Sequence, residues 1–174
     1  LMTLQARDYR ANLSYLLISV STGTTYDSGW KNWVTDGTFE GSTPTNNWAD
    51  FPQVGYDQSA VYITTNQFSR TTNLFQYARV RIFKKSELYN TATTTLTYSD
   101  IFNLKNEDGT VVSTLQAPIL RGRYGVGTSQ PLLLNASDAI NANYLTLWRV
   151  SNVLSATPTV TRTPPPQASE ADAA

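Results

Sequence analysis

Carboxylates, lysines, phenols and hydroxyls are the only side chains with which this chain could do acid–base or nucleophilic chemistry, because its 174 residues include neither histidine nor cysteine. That absence excludes Ser-His-Asp and Cys-His nucleophilic systems, imidazole and thiolate metal sites, and disulfides. Among the carboxylates, Asp50 leads. It heads the sequence Asp50-Phe51-Pro52, directly before a run of β-branched and aromatic residues. Glycoside hydrolysis by carboxyl groups needs two of them, roughly 5–10 Å apart, one acting as acid and the other as nucleophile or base. A single Asp before an aromatic-Pro pair also makes turns by accepting backbone N–H bonds, which is the plainer reading of Asp50. Asp57 has the same turn character, and no spacing ties Asp27, Asp36 or Asp138 to Asp50.

Aromatic residues are concentrated in the same quarter of the chain, at Trp30, Trp33, Trp48, Phe51 and Tyr56. Large rings mostly fill cores, where they bury much area, but an exposed ring face can also stack on a sugar. Trp48 stands alone in a loop-like stretch at 41–49, so Trp48, Asp50 and Tyr56 are the candidate ligand-binding residues, with carbohydrate as the ligand class. No Asp-x-Asp-x-Asp series argues for calcium, and Glu107-Asp108-Gly109 is explained by a hairpin turn. Neither a metal nor a cofactor is expected. Gly122, Gly125 and Gly127 lack the strand-then-helix context of a dinucleotide loop.

Thirteen basic residues balance thirteen acidic ones, which gives no electrostatic case for nucleic acid or an anionic membrane. Arg79 and Arg81 alternate with Ala78, Val80 and Ile82, so both leave one sheet face, and they are predicted to lie on a solvated or salt-bridged surface. The run Tyr15-Leu16-Leu17-Ile18 is too short to span a bilayer, and no membrane span is expected.

The elements that must position these residues are short strands. Residues 50–68 and 75–83 read as three successive strands broken by polar turns at 57–59 and 69–73, a meander. Residues 13–21 predict a strand covered on both faces, with 30–35 as its partner closed by Asp36-Gly37. Residues 101–104 and 110–115 flank Asn106-Glu107-Asp108-Gly109 and predict a hairpin. Strands are further expected at 94–98, 131–135, 144–150 and 157–162. Residues 1–12 read as an N-terminal tail or edge strand, and 163–174, with Pro164-Pro165-Pro166, as a proline-rich linker or tail.

An internal repeat organises these strands. Pro52 lies 36 positions before Leu88, Pro118 lies 36 before Leu154, and the two prolines are 66 apart. That offset exceeds the roughly 40–50 residues of a propeller blade, with residues 94–115 taking up the surplus. Units at about 13–41, 50–115 and 117–162 follow.

Asp50-Phe51-Pro52, then Gly55, then Tyr62-Ile63-Thr64-Thr65-Asn66-Gln67-Phe68, with Ser19-Val20-Ser21 and Trp30 ahead of them, resembles the blade pattern of exported bacterial β-propeller proteins of uncharacterised function. It is more remotely similar to the five-bladed propellers of some glycoside hydrolases. The resemblance spans about residues 13–155 and is carried chiefly by 50–68. It implies an extracellular or cell-surface location, and an innermost, channel-lining strand after Asp50-Phe51-Pro52. The expected fold is therefore all-β, with antiparallel propeller blades: two complete units and part of a third. A ring needs at least four blades, so the array is incomplete unless further blades from the same or another chain complete it. A self-contained β-sandwich is the alternative. The expected function is a binding or structural module, more plausibly non-enzymatic. The alternatives are part of a glycan-processing enzyme and a subunit of an extracellular protein assembly.

Overall fold

In the computed structural model the described residues are 1–25, 27–120, 131–136 and 145–163. Gly122, Gly125, Gly127, Asp138 and the proline-rich end lie outside them. The chain is all-β. Its strands are β1 (Met2–Asp8), β2 (Leu13–Ser21), β3 (Trp30–Asp36), β4 (Phe39–Glu40), β5 (Thr43–Pro44), β6 (Asn47–Tyr56), β7 (Ala60–Ser69), β8 (Phe75–Lys84), β9 (Tyr98–Phe102), β10 (Leu132–Ala136), β11 (Leu145–Ser151) and β12 (Thr159–Thr163). One helical turn, α1 (Lys85–Leu88), follows β8. Three antiparallel meanders result: a first sheet β1-β2-β3, a central sheet β6-β7-β8-β9 and a last sheet β10-β11-β12, with the ribbon β4-β5 between the first two.

The central sheet is covered on both sides, and its sequence shows why. In β7 every residue from Ala60 to Thr65 is buried. Ala60 and Tyr62, with Ala78, Val80 and Ile82 of β8, point one way into a core shared with Leu133, Trp148 and Val150 of the last sheet. Val61, Ile63 and Phe83 point the other way and meet Leu16, Ile18, Val20 and Trp33 of the first sheet. Strand side chains alternate between faces, so a run with no polar alternation is stable only where both faces are dry.

The outer sheets behave differently. Residues 13–21 form β2, but with one face buried and the other half-exposed rather than covered on both sides. Its buried face packs against the central sheet and Leu88 of α1.

Two further differences have local causes. Residues 41–49 are not all loop: Thr43–Pro44 close a ribbon, and β6 already begins at Asn47, where pairing with β7 supplies its hydrogen bonds. The turn at Asn106-Glu107-Asp108-Gly109 forms, with Gly109 at φ +82° and its N–H on the Asn106 carbonyl, but the expected hairpin ladder shrinks to the single bridge Lys105–Val111. Val112 and Leu115 turn into the core, and the Val112 carbonyl accepts from Ala78 of β8 while its N–H stays on the Leu104 carbonyl.

The first strands of the first and central sheets lie side by side. β1 packs against β6. At its far end β6 is bridged in parallel from Tyr56 to Ile119, with Tyr56 N–H on the Pro118 carbonyl at 2.8 Å and Leu120 N–H on the Tyr56 carbonyl at 2.8 Å. Gly55 makes this approach possible, since a Cβ there would stand 2.4 Å from the Pro118 oxygen. Among the described residues, no helix is long and apolar enough to cross a membrane.

Candidate functional site

All three sequence-derived candidates fall on β6, and strand geometry separates them. Trp48 and Tyr56 are eight residues apart, about 25 Å along an extended chain, so one small ligand does not contact both.

Trp48 is inside the strand rather than in a loop, and only 9 % exposed. Its ring stacks on Phe68 with centroids 5.2 Å apart, its other side carries the Arg7 guanidinium at 3.9 Å, and its Nε1 donates to Asn73 Oδ1. These contacts occupy the ring that the sequence left for a ligand. Tyr56 ends the strand, half-buried, with Lys85 Nζ 4.8 Å from its ring.

Asp50 sits where the β6–β7 register slips between Asp50 and Gln53. A bulge of this kind bends the strand and re-aims a side chain. Asp50 Oδ1 accepts the N–H of Phe51 at 2.8 Å, and Phe51 takes a left-handed φ of +52° with its ring 54 % exposed. A non-glycine residue pays roughly 1–2 kcal/mol for that conformation. Across the ladder Asp50 faces Asn66, which exchanges hydrogen bonds with Thr114: Nδ2 donates to Thr114 Oγ1 and Oδ1 accepts the Thr114 N–H. The bulge thus presents an aromatic face beside a carboxylate, a pair suited to a sugar's apolar ring face and its hydroxyls.

Asp57 is a turn former. Its Oδ1 accepts from the Ser59 N–H at 2.7 Å and the Ala60 N–H at 2.8 Å, and its Oδ2 accepts from the Tyr62 hydroxyl at 2.5 Å. Burial raises its carboxyl pKa, but the hydrogen bonds from Tyr62, Ala60 and Ser59 outweigh burial and hold it below the ordinary value.

The site that sequence reasoning missed is a buried polar centre between the first and central sheets. Of the solvated or salt-bridged alternatives, the second holds at Arg81, and both Arg79 and Arg81 are fully buried. Arg81 binds Asp100 of β9 through two hydrogen bonds and also reaches Thr35 Oγ1 and the carbonyls of Asp36 and Phe39. Arg79 Nη1 donates to the carbonyls of Gly37 and Phe39, while its Nε and Nη2 make no hydrogen bond. Burial, then the like charge of Arg81, pushes the Arg79 pKa down to about 10. Glu40 accepts from the Tyr77 hydroxyl, and burial raises its carboxyl pKa. The centre anchors the turn at 36–41 beneath the ribbon. Asp100 lies across the ladder from Arg81, a partnership that only the register of β8 with β9 reveals.

Among the described residues, no group of three or more acidic side chains is placed to hold a metal ion. No family model matches the chain, and neither a curated protein nor a solved structure matches it.

Proposed function

We propose that the chain is a blade-like structural module, working at or outside the cell surface as the sequence resemblance implies, whose end sheets are built to be covered by further sheets. The observation that carries this reading is the apolar outer face at each end of the stack. Leu4, Leu17 and Val34 form a row across the first sheet, flanked by Met2 and Trp30, while Leu134, Leu147, Leu132 and Leu145 occupy the outer face of the last. Leu4 and Val34 are each 62 % exposed and Leu145 is 54 % exposed. Contiguous exposed apolar patches mark interaction surfaces. The side-by-side placing of β1 and β6 supports a radial array of blades. The test is a titration of the folded chain with 1-anilinonaphthalene-8-sulfonate, under conditions where light scattering gives 19.3 kDa. Fluorescence enhancement lost in Val34→Lys and Leu145→Asp is expected. A folded monomer that leaves the dye dark overturns the reading.

A second reading, carbohydrate binding at the Asp50–Phe51 bulge, is favoured by the exposed Phe51 ring beside a carboxylate. Affinity electrophoresis in gels containing soluble polysaccharides tests it, with retardation abolished in Phe51→Ala. Equal mobility of both proteins in every gel refutes it.

A further inference from the structure

The two outer faces differ in one respect that identifies a partner. On the outer face of the first sheet, strand alternation places Met2, Leu4, Ala6 and Asp8 of β1, the odd-numbered residues of β2, and Trp30, Asn32, Val34 and Asp36 of β3. Asp8 and Asp36 are its charges, and no lysine or arginine shares these strand positions. The outer face of the last sheet carries Leu132, Leu134, Ala136, Leu145, Leu147 and Arg149, and these strand positions include no acid. Each face is therefore an apolar surface with a charge of one sign. Pairing either face with its own copy sets like charges together in a low-dielectric layer, whereas pairing the two different faces sets opposite charges together.

We infer that a second copy of this chain covers them, the first-sheet face of one copy against the last-sheet face of the other. The chain already contains two contacts of this type, since the central sheet meets a neighbouring sheet on each side through alternating apolar side chains. The last-sheet face also has a depression of about 410 Å³, lined in part by Gln116, Leu134, Ala136 and Leu145, that a side chain from the opposing sheet can enter. Different-face contacts close when the rotation between copies returns to the start. Three sheets from each of two copies make six, within the four to eight that close a propeller-type ring. Each face of each copy is then used once. This inference rests on the module reading above and names its partner.

Size-exclusion chromatography with light scattering on the purified chain at micromolar concentration tests it. The expected mass is twice 19.3 kDa. Val34→Lys and Leu145→Asp, both at positions more than half exposed in the single chain, are each expected to give monomers with unchanged far-ultraviolet circular dichroism. Mixing the two variants leaves one intact interface, and a mixed dimer is expected to reappear. Loss of the dimer in only one of the two variants overturns the different-face pairing in favour of self-pairing of that face. A monomeric wild-type chain overturns the second copy, and the dye titration then separates the cases. A monomer that binds the dye retains the module reading with a different partner, and one that does not removes both.

Discussion

Arg81 and Asp100 form a two-point ion pair, Nε to Oδ1 at 2.9 Å and Nη2 to Oδ2 at 2.8 Å, with both side chains excluded from water. Such a pair contributes little net stability against a hydrophobic replacement, but removing one member strands a buried charge. Asp100→Ala also leaves Arg79 and Arg81 side by side with no carboxylate bound to either guanidinium. A loss of about 3–5 kcal/mol is expected, read as a lower urea midpoint at unchanged slope. The turn at 36–41, held by both arginines, should show the earliest amide exchange.

Asp57 links stability to acid. Its folded pKa lies below its unfolded value of about 3.9, so the folded state binds the proton less readily than the unfolded chain. The resulting stability is fully present above about pH 5 and is lost as pH falls through the depressed folded value. Urea midpoints measured between pH 6 and pH 3 are expected to fall less steeply in Asp57→Asn than in the parent chain. Parallel curves would show that Asp57 contributes nothing to the acid limb.

Trp48 and Phe51, three residues apart, are expected to answer differently to alanine. Trp48→Ala removes a ring held between Phe68 and Arg7 and should cost about 3–5 kcal/mol. Phe51→Ala removes a mostly exposed ring and should stay within about 0.5 kcal/mol. Thermal and urea denaturation of the two variants compare them directly, and equal losses would contradict the packing described for Trp48.

Gly55→Ala places a methyl group against the Pro118 carbonyl and the Ala117 side chain, where the backbone must move. A loss of about 1–3 kcal/mol is expected. Hydrogen exchange at Tyr56 and Leu120 should rise with it, since those amides close the parallel bridge.

The meander was legible because its strands are long, carry β-branched and aromatic residues and are separated by polar turns, so that β7, β8 and most of β6 could be placed from local signals alone. The limits of β9 and the loss of the hairpin ladder were not legible. They depend on Val112 and Leu115 gaining more in the core than in a two-stranded ladder, a competition between distant partners. Trp48 was misplaced for the same reason. Its polar neighbours Asn46 and Asn47 look like loop, and only the arrival of Phe68 and Arg7 makes that position dry. The salt-bridged alternative for the arginines holds at Arg81, but their burial was not legible, because alternation tells which side a residue faces and not whether that side is wet. Asp50 was read as a turn former first, and its bond to the Phe51 N–H is of that kind. The left-handed Phe51 beside it left no mark in the sequence.

β7 is dry on both flanks, and this sets an order of events during synthesis. Until the strands of the last sheet have left the ribosome, the Tyr62 side of β7 and the Ala78, Val80 and Ile82 side of β8 are covered only in part, by Ile101, Val112 and Leu115. A nascent polypeptide halted before Leu132 therefore exposes a wide greasy slab to its surroundings. Truncation there is expected to produce insoluble material rather than a smaller working piece.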